Sequence, residues 1–251
     1  RLNSTRRADK VWGLSTWDQA LAAREGQSKG LSNFETVAYA IPAIGAGYMS
    51  LLIGLFIMKF STDVLLIAPI VMSTIFGISR LWDAVSDPLV GYLSDRTQHR
   101  LGRRRIWLAA GVIPIGLVFV MVFSPPAELT GWGLTLWMGI GIIGFYSAMT
   151  VFIVPHMSLG AELTSSYHER SRLYGLRHAA FTAGSILALI SMQLLINAEQ
   201  ESEAAVRETA FELSIFAALL TAALIVFAIV RLRERADFQG RVSSKPFSAF
   251  R

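Results

Sequence analysis

The sequence predicts an all-α membrane protein, built as a bundle of six transmembrane helices. Its 251 residues are 53% apolar and only 16% charged, whereas a soluble domain carries roughly a quarter charged residues. Six apolar stretches meet or approach the about 20 residues with which a helix crosses the bilayer core. They cover residues 36–60, 64–93, 106–123, 132–155, 179–197 and 213–230. None of them alternates with a period of two, which argues against a transmembrane β-barrel.

Composition also excludes several classes of function. The chain has no cysteine, so disulfide scaffolds, thiolate metal sites and cysteine nucleophiles are excluded. Its formal charge of +5 could indicate a nucleic-acid partner, but so apolar a chain cannot form a broad cationic groove. We therefore expect membrane lipid, and not nucleic acid, as its surroundings.

The charges of the loops predict the orientation of the bundle. The segments that follow the second, fourth and sixth spans are rich in arginine, whereas the loops at 61–63 and 124–131 contain no lysine or arginine. Because positive residues mark the cytoplasmic side, both termini are predicted to be cytoplasmic, in a multi-pass protein of the cell membrane. The predicted domains are a cytoplasmic tail (1–35), the bundle (36–230) and the start of a cytoplasmic middle linker (231–251). Residues 16–24 could form a short surface helix or be disordered, and 238–251 could lie on the membrane or be a solvated linker.

Three charged residues lie inside the second predicted span. Asp83 and Asp87 are four residues apart on one helical face, with Arg80 on the same side. Asp83 precedes the cytoplasmic Asp95 by about 12 residues, or roughly 18 Å of helix, which places its carboxylate deep in the membrane. Two ionised carboxylates there are unfavourable without compensation, so the pair is expected to hold a proton or a hard cation such as Na⁺. Ser86 could add a hydroxyl oxygen; the alternative is internal salt bridging, with Arg80 neutralising Asp83.

Two sequence blocks carry a family resemblance. The runs GYLSDR (91–96) and LGRRR (101–105) resemble the loop motif of the major facilitator superfamily. Together with RLWD (80–83) and the Asp87-Pro88 pair, they are similar to the glycoside–pentoside–hexuronide:cation symporters, and so are VPHMSLGAEL (154–163) and YHER (167–170). The resemblance implies that the bundle is the N-terminal half of such a transporter. It also implies a missing C-terminal half, removed by truncation, or pairing with a second copy.

The resemblance implies a cation site but no complete sugar site. The family's cation ligands map onto Asp83, Ser86, Asp87 and Thr150, with sodium and proton both open as the coupling ion and no other cofactor. The family's sugar-binding positions carry Gly47, Ile153 and Met157. This disfavours a galactoside and leaves another glycoside, a uronate or an amphiphile such as a lysolipid as the solute.

Polar candidates for a solute contact remain. They are His156 and either Arg177 or His178; the alternative for each is an interhelical hydrogen bond. The resemblance also assigns a cytoplasmic gate to Asp95 with Arg103 or Arg104, unless this loop only sets topology.

The leading functional hypothesis is secondary-active uptake of a glycoside-like solute, coupled to sodium or protons by alternating access. A membrane-embedded enzyme that uses Asp83 and Asp87 as acid and base is a second hypothesis, and a non-transporting receptor is a third. The sequence has no nucleophile motif, metal-spaced histidine pair or glycine-rich phosphate loop. We therefore expect a transporter and not an enzyme.

Overall fold

The computed structural model describes residues 30–164, 166–232 and 234. Their secondary-structure elements are all helices. The tail segment 16–24 and the basic segment 238–251 lie outside the described residues. Six long helical segments follow one another. They are α1 (Asn33–Val64), α2 (Pro69–Arg96), α3 (Arg105–Phe123), α4 (Gly131–Leu163), α5 (Tyr167–Glu201) and α6 (Glu203–Arg231).

Five of these helices are long and apolar enough to cross a membrane: α1, α3, α4, α5 and α6. Helix α2 has 28 residues, but its sequence is interrupted by Arg80, Asp83 and Asp87 and it does not reach the same apolarity. The predicted all-helical fold is therefore confirmed over the described residues, with five helices that could cross a membrane. The predicted count of six spans is not confirmed, because α2 is not among these five.

The first helix is longer and less regular than predicted. Two π-helical turns, Leu52–Phe56 and Phe60–Val64, widen it, and the second includes the residues predicted as the loop 61–63. The connection to α2 follows, with Leu66 at a positive φ of 56° and the Ile67 amide donating to the Ser61 carbonyl at 2.9 Å. Helix α2 then begins at Pro69, where proline's missing N–H leaves no helical bond unmade.

Helices α4 and α5 also extend beyond their predicted ends. Helix α4 continues through Pro155 to Leu163, and α5 begins at Tyr167. The segment after the fourth span was predicted to be an arginine-rich loop, but its Arg170, Arg172 and Arg177 lie on α5. A helix can continue past the apolar core into the aqueous region. Only Ser202 separates α5 from α6, and its side chain caps α6 by accepting the Ala205 amide at 3.1 Å.

Helix packing brings α1, α2, α4 and α5 to a common region. Helix α1 packs against α5 and α6, α3 packs against α4 and α6, and α2 packs mainly against α4. Glycines allow the closest approach. A Cβ at Gly47 would meet the Phe181 carbonyl oxygen, and a Cβ at Gly184 would meet the Ile44 carbonyl oxygen. Small residues at such crossings let the backbones of membrane helices touch.

Candidate functional site

A cavity of about 330 Å³ lies between α1, α2, α4 and α5. Its lining includes a polar group and an apolar group of side chains. The polar ones are Ser50, Arg80, Asp83, Asp87, Tyr146 and Thr150; the apolar ones are Phe145, Met149, Ile153, Val154 and Phe181. The two carboxylates on α2 therefore share one cavity, as their spacing of four residues predicts.

Asp87 is joined to α4 by a hydrogen bond. The Thr150 hydroxyl donates to Asp87 Oδ1 at 2.8 Å. Thr150 is buried, whereas Asp87 is exposed. The resemblance-based pairing of these two positions thus corresponds to a direct contact between α2 and α4.

Asp83 is compensated on one oxygen only. Its Oδ2 lies 3.3 Å from Arg80 Nη1, and its side chain is 20% exposed. Its Oδ1 is buried and has no hydrogen-bond partner within the described part of the chain. A buried carboxylate oxygen without a partner is costly, so this atom is available to a ligand.

Ser86 lies apart from this cavity. Its hydroxyl is buried, without a hydrogen-bond partner among the residues described, and Ser86 is not among the lining residues. Because it is next to Asp87 in the helix, it points about 100° away around the axis. A role for Ser86 as a ligand remains a prediction.

The oxygen atoms that could act as ligands in this cavity suit a small monovalent cation or a proton. They are two carboxylates and the Thr150 hydroxyl, which are hard ligands. Over the described ranges there is no cluster of three or more acidic or histidine side chains of the kind that holds a divalent metal.

The predicted solute-contacting residues do not line the cavity. His156 is fully buried, its Nε2 is 2.9 Å from the Tyr39 carbonyl oxygen, and its ring stacks between Tyr39 and Phe152. The structure thus gives His156 the interhelical hydrogen bond that was its alternative role. Arg177 is partly buried with an unpartnered Nε, and His178 is exposed on α5. Solute contact by any of the three remains a prediction.

A charge network occupies the loop between α2 and α3. Arg104 pairs with Asp95 and donates to the Ser94 hydroxyl at 2.6 Å. Arg103 reaches the Asp95 backbone carbonyl at 3.3 Å instead of its carboxylate, and it pairs with Glu162 at 2.6 Å. The three predicted gate residues are therefore in contact with one another.

Two glutamates complete this network and were not predicted as members of it. Glu162, near the end of α4, pairs with Arg103 and, at 3.2 Å, with Arg104. The carboxylate of Glu234, beyond the end of α6, accepts the backbone amides of Arg103, Arg104 and Arg105 at 2.7–2.8 Å. It thereby satisfies free amides at the start of α3. Glu162 lies in the block 154–163 that carries the family resemblance. That resemblance was the sequence signal from which its role could have been predicted.

The comparison with family models identifies the class of protein. The model described as "MFS/sugar transport protein" matches residues 38–250, which is most of the chain. This chain belongs to that family, among the glycoside–pentoside–hexuronide:cation symporters of the major facilitator superfamily, and covers part of such a protein. Members of this family are membrane transporters and not enzymes.

Symporters are among the relatives of this chain. The chain is 32% identical to the inner membrane symporter YicJ of Escherichia coli, over 68% of this chain and 37% of YicJ. It is 31% identical to the putative glycoside/cation symporter YagG of E. coli, over 61% of this chain and 33% of YagG. It is 28% identical to the sodium-dependent lysophosphatidylcholine symporter 1-A of Danio rerio, over 66% of this chain and 31% of that protein. The chain thus spans about a third of the length of these relatives, and their names imply a cation and a small-molecule solute.

Proposed function

We propose that this chain is the cation-binding half of a secondary-active symporter that takes up a glycoside-like solute with Na⁺ or H⁺. The coupling ion binds at Asp83 and Asp87, with the Thr150 hydroxyl as a further oxygen. The observation that carries this proposal is the buried, unpartnered Oδ1 of Asp83 in the same cavity as Asp87. Without a bound ion, two carboxylates in this setting repel each other and lack full compensation.

We also propose that α2 is the sixth membrane span. At about 1.5 Å per residue, its 28 residues extend roughly 42 Å, which exceeds a bilayer core of about 30 Å. Arg80, Asp83 and Asp87, the charged residues within the predicted span, all line the cavity, as is typical of membrane-buried ionisable groups. Both termini lie in the cytoplasm, on the side of the arginine-rich loop. A second bundle, from the remainder of the protein or from another copy, faces this cavity, and Asp95, Arg103 and Arg104 help to close its cytoplasmic side.

A glycoside-like solute is supported by the family description and by the printed name of YagG. A second candidate is an amphiphile such as a lysolipid. Phe145, Met149, Ile153 and Phe181 form an apolar part of the cavity lining beside the charged groups, which suits a molecule with one polar and one apolar end. The name of the zebrafish relative, a lysophosphatidylcholine symporter, favours the same candidate.

Asp87→Asn tests the coupling. In vesicles that contain the complete protein, we expect an inward Na⁺ or H⁺ gradient to accelerate solute uptake. The substitution keeps the volume and the Thr150 contact but removes the charge that attracts the ion, so the acceleration should fall at least tenfold, while the protein remains folded.

Asp63→Asn is the matched control, because Asp63 is an exposed aspartate at the end of α1 that pairs with Lys59 outside the cavity. It should retain the acceleration. The proposed coupling would be contradicted if neither a Na⁺ nor an H⁺ gradient accelerated uptake by the parent protein. It would also be contradicted if the Asp87→Asn variant were accelerated as much as the parent.

A further inference from the structure

Arg80 contacts two different groups at the edge of the cavity. Its Nη2 donates to the Tyr146 hydroxyl at 2.9 Å, and its guanidinium carbon lies 4.3 Å from the centre of the Tyr146 ring. Its Nη1 lies 3.3 Å from Asp83 Oδ2. Tyr146, on α4, therefore holds this arginine by both its hydroxyl and its ring.

The two contacts differ in quality. Charged hydrogen bonds between a guanidinium and a carboxylate usually measure about 2.7–2.9 Å, so the contact with Asp83 is long, whereas the contact with Tyr146 has an ordinary length. The geometry is also not bidentate, because Asp83 Oδ1 has no partner in the described structure. Arg80 thus compensates Asp83 in part and leaves one carboxylate oxygen uncovered.

We propose that Tyr146 is a positioning residue for the coupling ion: it holds the Arg80 guanidinium at the rim of the cation site and so keeps Asp83 accessible. This inference rests on the proposed function of the Asp83 and Asp87 pair. Arg80 and an incoming cation compete for the same carboxylate, because like charges repel. The strength with which Tyr146 retains Arg80 therefore sets the affinity for the ion.

Four side chains in the cavity surround Asp83 and determine how it responds to a change at Tyr146. They are Arg80 and Asp87 from its own helix, with Tyr146 and Thr150 from α4. Arg80 is 62% exposed on its side chain, so it is free to move toward Asp83 once the hydroxyl of Tyr146 is removed.

Tyr146→Phe is the decisive variant, because it removes the hydroxyl and keeps the ring. The probe is Na⁺ itself, titrated against the purified protein at constant ionic strength with K⁺, while the melting temperature is followed; a ligand that binds the folded state raises it. We expect the Na⁺ midpoint to rise roughly tenfold or more, the effect of losing one hydrogen bond to a charged group. The maximal stabilisation at saturating Na⁺ should not change.

In a proton-coupled protein the same variant is tested by titrating acid in K⁺. A guanidinium closer to Asp83 favours the ionised carboxylate. The midpoint of the acid-dependent stability change should therefore move to lower pH.

The double variant Arg80→Gln/Tyr146→Phe separates this role from simple packing. Once Arg80 is replaced by glutamine, the Tyr146 hydroxyl has no guanidinium to hold, so the double variant should have the same ion midpoint as Arg80→Gln alone. Tyr92→Phe is the matched control, since Tyr92 also lies under an arginine, Arg96, at 4.2 Å but does not line the cavity. It should leave the midpoint unchanged.

The outcomes distinguish this inference from the proposed function. A parent protein that responds neither to Na⁺ nor to acid contradicts the cation site itself. A parent that responds, with an unshifted Tyr146→Phe midpoint, overturns the role of Tyr146 alone. A shift of equal size with and without Arg80 overturns it as well, because the effect would not pass through the guanidinium.

Discussion

At the scale of single residues, the charges of two buried arginines are compensated by a carboxylate from another helix. Arg103 and Arg104 are 8% and 5% exposed, and both use the carboxylate of Glu162, which belongs to a helix about 60 positions away in the sequence. A buried charge that loses its partner costs far more than a surface pair. Glu162 is thus a residue on which the stability of the loop between α2 and α3 depends.

Glu162→Gln should destabilise the protein by about 1–3 kcal/mol, because a neutral amide replaces a carboxylate shared by two buried arginines. Arg104 keeps Asp95, so the loop should not collapse completely. Thermal unfolding in detergent measures the effect. Glu208→Gln, on an exposed position of α6, is the control and should be neutral; equal melting temperatures for both variants would show that the Glu162 pairs contribute nothing.

At the scale of the helices, the crossing of α1 and α5 depends on glycine. The Cβ positions of Gly47 and Gly184 are occupied by backbone carbonyl groups of the opposite helix. A backbone atom cannot move aside as a flexible side chain can, so any substitution there must separate the two helices.

Gly184→Ala should therefore lower stability by about 1–3 kcal/mol through overpacking. Gly175→Ala, on the same helix, should be neutral or stabilising by up to about 1 kcal/mol, since a Cβ there meets nothing within 4 Å and alanine is the better helix former. Melting temperatures of the two variants provide the comparison. A Gly184→Ala protein as stable as Gly175→Ala would contradict the close approach of α1 and α5.

Sequence reasoning located these helices better than it located their ends. Apolar stretches predicted the membrane-crossing parts, but α4 extends eight residues beyond Pro155 and α5 begins at Tyr167 instead of 179. Hydropathy reports the part of a helix that lies in lipid, not the polar turns that continue it. The π-helical turn Phe60–Val64 had no sequence signal that distinguished it from a polar loop.

For the whole molecule, the loop charges predict a definite orientation in the membrane. These 251 residues contain no cysteine, so a single cysteine introduced into them is the only thiol once any in the remainder of the protein are replaced. A cysteine at Glu128, between α3 and α4, should react with a membrane-impermeant thiol reagent added outside intact cells. A cysteine at Arg100, between α2 and α3, should react only after the membrane is permeabilised. The reverse pattern would invert the proposed topology.

The sequence by itself determined that this is a helical membrane protein with a carboxylate pair within one apolar helix and an arginine-rich segment after that helix. Such features are local, because hydropathy and the helical repeat act within one segment. Only the tertiary structure decided that Thr150 meets Asp87, that Tyr146 holds Arg80, and that Glu162 and Glu234 serve the arginine loop. Each of these contacts joins residues roughly 60 to 130 positions apart, and it depends on the angle and depth at which two helices pack, which no single segment encodes.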